Sequence, residues 1–417
     1  MGTAVVLSYP THGHIAPALG VVAELVRRGE RVIFYATERS REKIEATGAE
    51  FRSYARRHDE FSPTPPTDGL FSDMARLIAL TEELLPGLLN CVEEDAPDYL
   101  LIDTKSVWGR LAAQVLGIPA VTLSVVFAIR PEVVPVTDLV NLLYGGAPED
   151  KLRAGLTSLS RYLEVARRIG KRHGSCTPGI IEYLGNPHPL NIIFTSREFQ
   201  VRGNDFGNEF KFVGPSIPPA REAAHDFPLD RIGPLPLVYI SLGTTFNDAP
   251  DFYRACFQAF AGAPWQVVLS AGAGRGDLGH PPPNFIVRDY VPQLSVLKRA
   301  GVFITHGGMN SANEGLYHGV PLVVVPQRGD QNLVAARVAE LGAGVCLAPG
   351  EVTPWSLRDA VSRVFADTNF RSKARSIGKT LQDAGGYERA ANEILGFAGD
   401  GQVCPVSPSL QYQVQPL

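Results

Sequence analysis

The sequence predicts an α/β protein of two doubly wound domains, and three observations carry that expectation. The chain has 417 residues, more than one ordinary hydrophobic core accommodates. Short runs rich in Val, Ile and Leu alternate with segments of helical periodicity, as in parallel strands joined by crossover helices. A Pro-rich, charged stretch interrupts that alternation near the middle of the chain.

The first series of buried strands is "AVVLSY" (4–9), "RVIFYA" (31–36), "YLLID" (99–103), "AVTLSV" (120–125) and "NIIFTS" (191–196). Between the first two, "IAPALGVVAELVRRG" carries apolar residues at helical spacing and stops at Gly29, which makes a β-α-β start. The stretch "EFKFVGPSIPPAREAAHDFP" (209–228) then breaks the pattern with Pro and charge and predicts a linker. A second series follows: "LVYISLG" (237–243), "WQVVLS" (265–270), "NFIVRDY" (284–290), "GVFITH" (301–306), "PLVVVP" (321–326) and "GVCLA" (344–348). These limits give a first domain over 1–215, a linker over 216–233, a second domain over 234–398 and a Pro- and Gln-rich tail over 399–417.

Composition narrows the function. Hydrophobic residues make up 45% and charged residues 20%, as in a soluble globular protein, and the net charge of -4 gives no reason to expect nucleic acid as a partner. Five cysteines are scattered without a C-x-x-C pair, so neither a disulfide framework nor a zinc site is expected, and a cytoplasmic setting fits. The start "MGTAVVLSYP" lacks the basic and apolar regions of a signal peptide. The longest mainly apolar stretch, "LGIPAVTLSVVFAI" (116–129), contains a Pro and falls short of the roughly 18 residues a span needs, so no stable membrane insertion is expected.

In open parallel sheets, ligands sit beyond the carboxyl ends of the strands. In the second series those ends carry Ser241, Gly243 and Thr244 in "SLGTT", Tyr290 in "DYVPQ", His306 through Glu314 in "HGGMNSANE", and Asp330 with Gln331 in "RGDQ". This set suits a nucleoside diphosphate. A helix starting near Asn310 would aim free N–H groups and a positive dipole end at a phosphate. Gly307 and Gly308 would let the phosphate approach the backbone, while His306 and Thr244 add donors. Glu314 offers two oxygens to the hydroxyls of a ribose, Tyr290 a flat face to a base, and Asp330 with Gln331 partners for sugar hydroxyls. Each has a plainer reading as well. Ser311 with Glu314 forms an S-x-x-E capping box, Tyr290 can be a core aromatic, and Asp330 an ordinary loop charge. No P-loop occurs, and "GAGRG" (272–276) lacks dinucleotide spacing and reads as a flexible loop.

The first domain offers "SYPTHGHIAPALG", which leaves a strand through His12, Gly13 and His14 into a helix whose N-terminus favours a neutral imidazole. Asp103 ends "YLLID" at the same edge of the same sheet, where it can cap the helix "SVWGRLAAQVLG" or orient His14 as a base.

The run "VPQLSVLKRAGVFITHGGMNSANEGLYHGVPLVVVPQRGDQ" (291–331) resembles the donor-binding signature of family-1 UDP-dependent glycosyltransferases, and "GHIAPAL" and "SLGT" match as well. The resemblance covers the chain to about residue 398, and "HGGMNS" is similar to the bacterial macrolide and flavonoid enzymes rather than the plant ones, which have "HCGWNS". It implies the GT-B fold of two facing Rossmann-like domains. By the same token His306, Asn310, Ser311 and Thr244 would meet the diphosphate, Glu314 the ribose, and Asp330 and Gln331 the donor sugar, with Gly308 among the donor-binding residues. Ser241, Gly243, Val291 and Gln293 would complete the donor site, and His14 with Asp103 would act on the acceptor. Tyr290 stands where a Trp often stacks on uracil, and the acceptor segments (about 55–90 and 125–185) match nothing in detail. The implied partners are a UDP-sugar co-substrate, such as UDP-glucose, and an apolar small-molecule acceptor. No cofactor or metal is implied, since no D-x-D occurs. A GT-B sugar-nucleotide epimerase and a non-catalytic nucleotide-sugar binding protein are the rival readings; the second would have no use for His14 and Asp103.

Overall fold

The computed structural model describes residues 2–54, 61, 69–130, 133, 149–175, 178–219, 227–244, 247–272, 278–327 and 329–399. The chain divides into two compact units. Of the described residues, the first holds those up to Phe194, those of Asn204–Ser216 and those from Tyr387 to Gly399; the second holds Thr195–Gly203 and those within Ile217–Gly386.

The first unit is a parallel sheet of β1 (Thr3–Leu7), β2 (Arg31–Ala36), β3 (Glu50–Ser53), β4 (Tyr99–Asp103), β5 (Ala120–Ser124), β6 (Leu190–Ile193) and β7 (Phe210–Phe212). Their order is β3-β2-β1-β4-β5-β6-β7, so strand order reverses between β1 and β4. Its helices are α1 (His12–Arg27), α2 (Arg41–Glu45), α3 (Gly69–Asp95), α4 (Val107–Leu116), α5 (Glu149–His173) and α6 (Ile180–Leu184). Strand alternation sorts the core into two layers. Val5, Leu7, Leu100 and Ile102 pack with α3, α4 and α5 through Leu85, Trp108 and Tyr162. Ala4, Val6, Tyr99 and Leu101 point the other way, to Ile15, Val22 and Leu25 of α1.

The second unit repeats the plan with β8 (Leu237–Ser241), β9 (Gln266–Ser270), β10 (Phe285–Arg288), β11 (Ala300–Thr305), β12 (Leu322–Val324) and β13 (Gly344–Cys346). The order β10-β9-β8-β11-β12-β13 again reverses between the strand that opens the unit and its later partner. The helices here are α7 (Pro250–Phe260), α8 (Gln293–Leu297), α9 (Met309–Tyr317), α10 (Asp330–Glu340), α11 (Pro354–Ala366) and α12 (Thr368–Asp383). Among the described residues, no helix is long and apolar enough to cross a membrane.

Two strands escape the sequence pattern. Both β3 and β7 lie at the edges of their sheet, and β3 is only half-buried, with Glu50 and Arg52 paired on its open side. Edge strands need no continuous apolar run, and so β7 falls inside the stretch that reads as linker. Residues 220–226 of that stretch, 273–277 at the "GAGRG" loop and the expected tail from 400 lie outside the described residues, as do 55–60, 62–68, 131–132, 134–148 and 176–177 of the acceptor segments.

The unit limits also differ from a single cut at a linker. Residues 195–203 belong with the second unit, where the Thr195 hydroxyl donates to Asn313 at 2.9 Å and Arg337 donates to the carbonyls of Phe199 and Glu198. Conversely, α13 (Gly386–Gly399) lays Ala390, Ala391 and Ile394 into the α1 side of the first core, and Lys211 pairs with Glu393 at 3.2 Å. Ile394 is fully buried there. Replacing it with Ala should destabilise the first unit by about 2–5 kcal/mol, the cost of a large-to-small core change. Denaturant unfolding followed by a probe in the first unit reads this, and an unchanged midpoint would mean that α13 is not part of that core.

Candidate functional site

The first cluster sits at the β1/β4 switch point. Residues 99 and 101 of β4 face α1, and strand period places Asp103 next in that series, so its carboxylate meets the first turn of α1. There His14 Nδ1 lies 2.8 Å from Asp103 Oδ2 and 3.0 Å from Oδ1. A carboxylate only accepts, so Nδ1 carries a proton, and in the neutral ring the lone pair is on Nε2. The Asp103 side chain is almost wholly buried, whereas 14% of the His14 side chain is exposed. The Lys105 N–H donates to Asp103 Oδ1 at 2.8 Å, and the Tyr9 ring stands edge-on to the imidazole at 5.3 Å. Asp103 does not cap α4, whose N-cap is Ser106. Neither Tyr9 nor Lys105 was singled out by sequence reasoning, though each lies within five residues of a residue that was.

The second cluster sits at the β8/β11 switch point. Parallel pairing puts Thr305 opposite Ser241, and His306 therefore lands beside Gly243. Its ring is held between two glycines. A Cβ at Gly243 would stand 2.6 Å from His306 Cε1, and one at Gly308 would stand 2.5 Å from Nε2. Gly243 also has a φ of 79°, which few other residues adopt. The glycines of "SLGT" and "HGG" thus fix the His306 ring before any ligand arrives. Burial pushes this imidazole down to about 4, opposed by a bond to the Ser241 backbone, so it is neutral at pH 7. A histidine whose folded value lies below its ordinary 6.5 adds stability that is complete above 6.5 and fades as pH falls toward 4.

The helix after it begins at Met309 with Gly308 as N-cap, three positions earlier than a Ser311 capping box requires. Ser311 is therefore in the first turn rather than at the cap, and Glu314 lies deeper in α9, buried. Gln293 Nε2 donates to Glu314 Oε2 at 2.7 Å, and Gln293 Oε1 accepts from the buried Tyr239 hydroxyl at 3.2 Å. Asn310 and Ser311 stand in the first turn of α9, the end at which a helix dipole favours negative charge.

Tyr290 is 60% exposed, which removes the core-aromatic reading. Val291 beside it is buried. Ser241 is buried and Thr244 exposed at the end of β8. Asp330 opens α10, and Gln331 Oε1 accepts the Gln327 N–H at 2.7 Å, which ties the sugar-facing candidates to their loop. Among the described residues, no group of three or more His, Cys, Asp or Glu is arranged to hold a metal ion.

Comparison with known proteins agrees with this architecture. Residues 263–383 match the family model "Erythromycin biosynthesis protein CIII-like, C-terminal domain". The chain is 34% identical to YojK of Bacillus subtilis, described as an uncharacterized UDP-glucosyltransferase, over 95% of this chain and 97% of that one. It is 36% identical to the NDP-glycosyltransferase YjiC of Bacillus licheniformis, over 94% and 96% of the two chains. The crystal structure of CalG4, the calicheamicin glycosyltransferase, superposes with a TM-score of 0.77 at 31% identity, covering 96% of this chain and 99% of that one. Two Rossmann-like parallel-sheet units, the identities above and this coverage have one reading: the chain belongs to the family-1 glycosyltransferases of GT-B fold, among the bacterial natural-product enzymes.

Proposed function

We propose that the protein transfers a hexose, glucose first among candidates, from a UDP-sugar to a hydroxyl of an apolar small molecule such as a polyphenol or macrolide. The observation that carries the chemistry is the His14–Asp103 pair at 2.8 Å, with Nε2 left as the basic atom. The acceptor O–H gives its proton to His14 Nε2 as its oxygen attacks the anomeric carbon, and the sugar–phosphate bond breaks on the opposite side. The anomeric configuration inverts, and UDP leaves with the bonding electron pair. Asp103 steadies the imidazolium as it forms. Charge growing on the leaving diphosphate meets the α9 amides and the His306 N–H, fixed donors that need no reorganisation.

For the donor, Tyr290 and the Val291 backbone would take uracil, Gln293 and Glu314 the ribose, and Asp330 with Gln331 the hexose hydroxyls. The name of YojK supports UDP-glucose, and the match to an erythromycin-biosynthesis model together with the calicheamicin enzyme supports a natural-product acceptor.

UDP release from UDP-glucose should depend on an added phenolic or macrolide acceptor. Release without acceptor, or none under any pairing of donor and acceptor, would favour the epimerase or binding-protein reading. His14→Ala should cut turnover by roughly a hundredfold to ten-thousandfold, the usual worth of general-base assistance. Asp103→Ala should cost less, since an imidazole without its orienting carboxylate is still a base. Undiminished transfer by the His14 variant to an alcohol acceptor would remove its assigned role.

The diphosphate role of His306 has its own readout. A nearby anion favours the imidazolium, so UDP should lift the His306 value above about 4, visible as a displaced titration of its Cε1 proton by NMR. An identical titration with and without UDP would place the diphosphate elsewhere.

A further inference from the structure

We propose that Asn186 is a positioning residue for the His14–Asp103 pair, reaching it through a buried polar chain from the far side of β4. This rests on the assignment of His14 as the base. Asn186 is fully buried, and its Nδ2 donates to the Asp103 carbonyl oxygen at 3.2 Å, beside the Ser106 N–H at 2.9 Å. The Lys105 N–H holds the carboxylate itself at 2.8 Å. The turn that presents Asp103 to His14 is thus clasped by two amides of its own and by one side chain from 83 residues further along the chain.

The Asn186 backbone is fixed in turn. The Thr122 hydroxyl donates to the Asn186 backbone carbonyl at 2.6 Å, and His188 Nδ1 approaches the same oxygen at 2.9 Å. That oxygen can only accept, so Nδ1 of His188 bears the proton. Asn191 binds the His188 backbone on both sides, its Oδ1 accepting the N–H at 2.9 Å and its Nδ2 donating to the carbonyl at 2.6 Å. The chain of contacts runs from β5 and β6 through Asn186 to Asp103 and ends at His14.

A plainer role is available. Asn186 has a φ of 44°, and its N–H bonds back to the Glu182 carbonyl at 3.1 Å, as a left-handed residue closing α6 would do. Glycine fills that role without strain. The side chain would then be dispensable, yet it is turned inward onto Asp103. Asn186→Gly therefore separates the two roles: it keeps the turn and removes only the donor.

The test uses the full-length protein in a double-mutant cycle. Asn186→Gly should melt within a few degrees of the parent and lower turnover about fivefold, the worth of one hydrogen bond. The donor KM should stay unchanged, since donor binding is assigned to the second unit. In a His14→Ala background the same change should have no further effect, because the group it positions is gone. Equal losses in both backgrounds, or no loss in the parent, would overturn the positioning role while leaving His14 as base. Full activity of His14→Ala alone would instead overturn the base assignment beneath it.

Discussion

Parallel pairing at a point where strand order reverses is the constraint on which both clusters depend. In the first sheet it sets the end of β4 beside the loop leaving β1, and in the second the end of β11 beside that of β8. Loops leaving those strands turn to opposite faces, so a crevice opens at each reversal and helix N-termini border it. Residues remote in sequence meet there without dedicated scaffolding. His14 and Asp103 are 89 positions apart and share two contacts of 3.0 Å or less. The β8–β11 register likewise carries His306 to Gly243 across more than sixty residues.

The two histidines lie at corresponding strand-to-helix junctions, His14 in the first turn of α1 and His306 just before α9, yet their surroundings differ. His14 has a carboxylate on Nδ1, and an imidazolium formed there would be compensated at once. Its other nitrogen belongs to a side chain that remains partly exposed. His306 has a backbone partner from Ser241 and lies between glycine α-carbons, where burial opposes charging. Such an imidazole is a poor base and a steady neutral donor. Proton acceptance suits the first environment and recognition of an oxyanion suits the second, and the difference comes from a single neighbouring carboxylate.

Much of this is legible in the sequence because the central strands of both sheets are buried on two faces and read as unbroken apolar runs. "YLLID" coincides with β4 and "RVIFYA" with β2. The polar residues that end such runs stand out by contrast, and so His14, Asp103, His306 and Glu314 can be picked out. Edge strands β3 and β7 carry no such signal, since half of each faces outward or is short. The start of α9 is also misplaced by the capping-box pattern. Glycine at 308 ends the extended backbone first, so the helix is already under way when Ser311 is reached. Asn186 leaves no trace at all in the sequence: its importance lies in a contact 83 residues away, and its immediate neighbours read as an ordinary turn.

The Tyr239–Gln293–Glu314 relay extends the same sheet logic to a buried carboxylate. A glutamate six residues into a short helix would ordinarily face water, but Glu314 is buried against the β8–β11 pair. Burial of a carboxylate is costly without donors. Gln293, at the first position of α8, supplies one from its amide nitrogen, and its amide oxygen is oriented by the Tyr239 hydroxyl. Tyr239 is itself stacked on Phe303 at 4.7 Å, so the orientation of Gln293 is set in the hydrophobic core. An amide pinned at its oxygen cannot flip its two ends, and the donor it offers Glu314 is therefore permanent. Packing at the centre of the sheet in this way determines how a polar group at its edge is presented, which is the property a site for sugar-nucleotide hydroxyls requires.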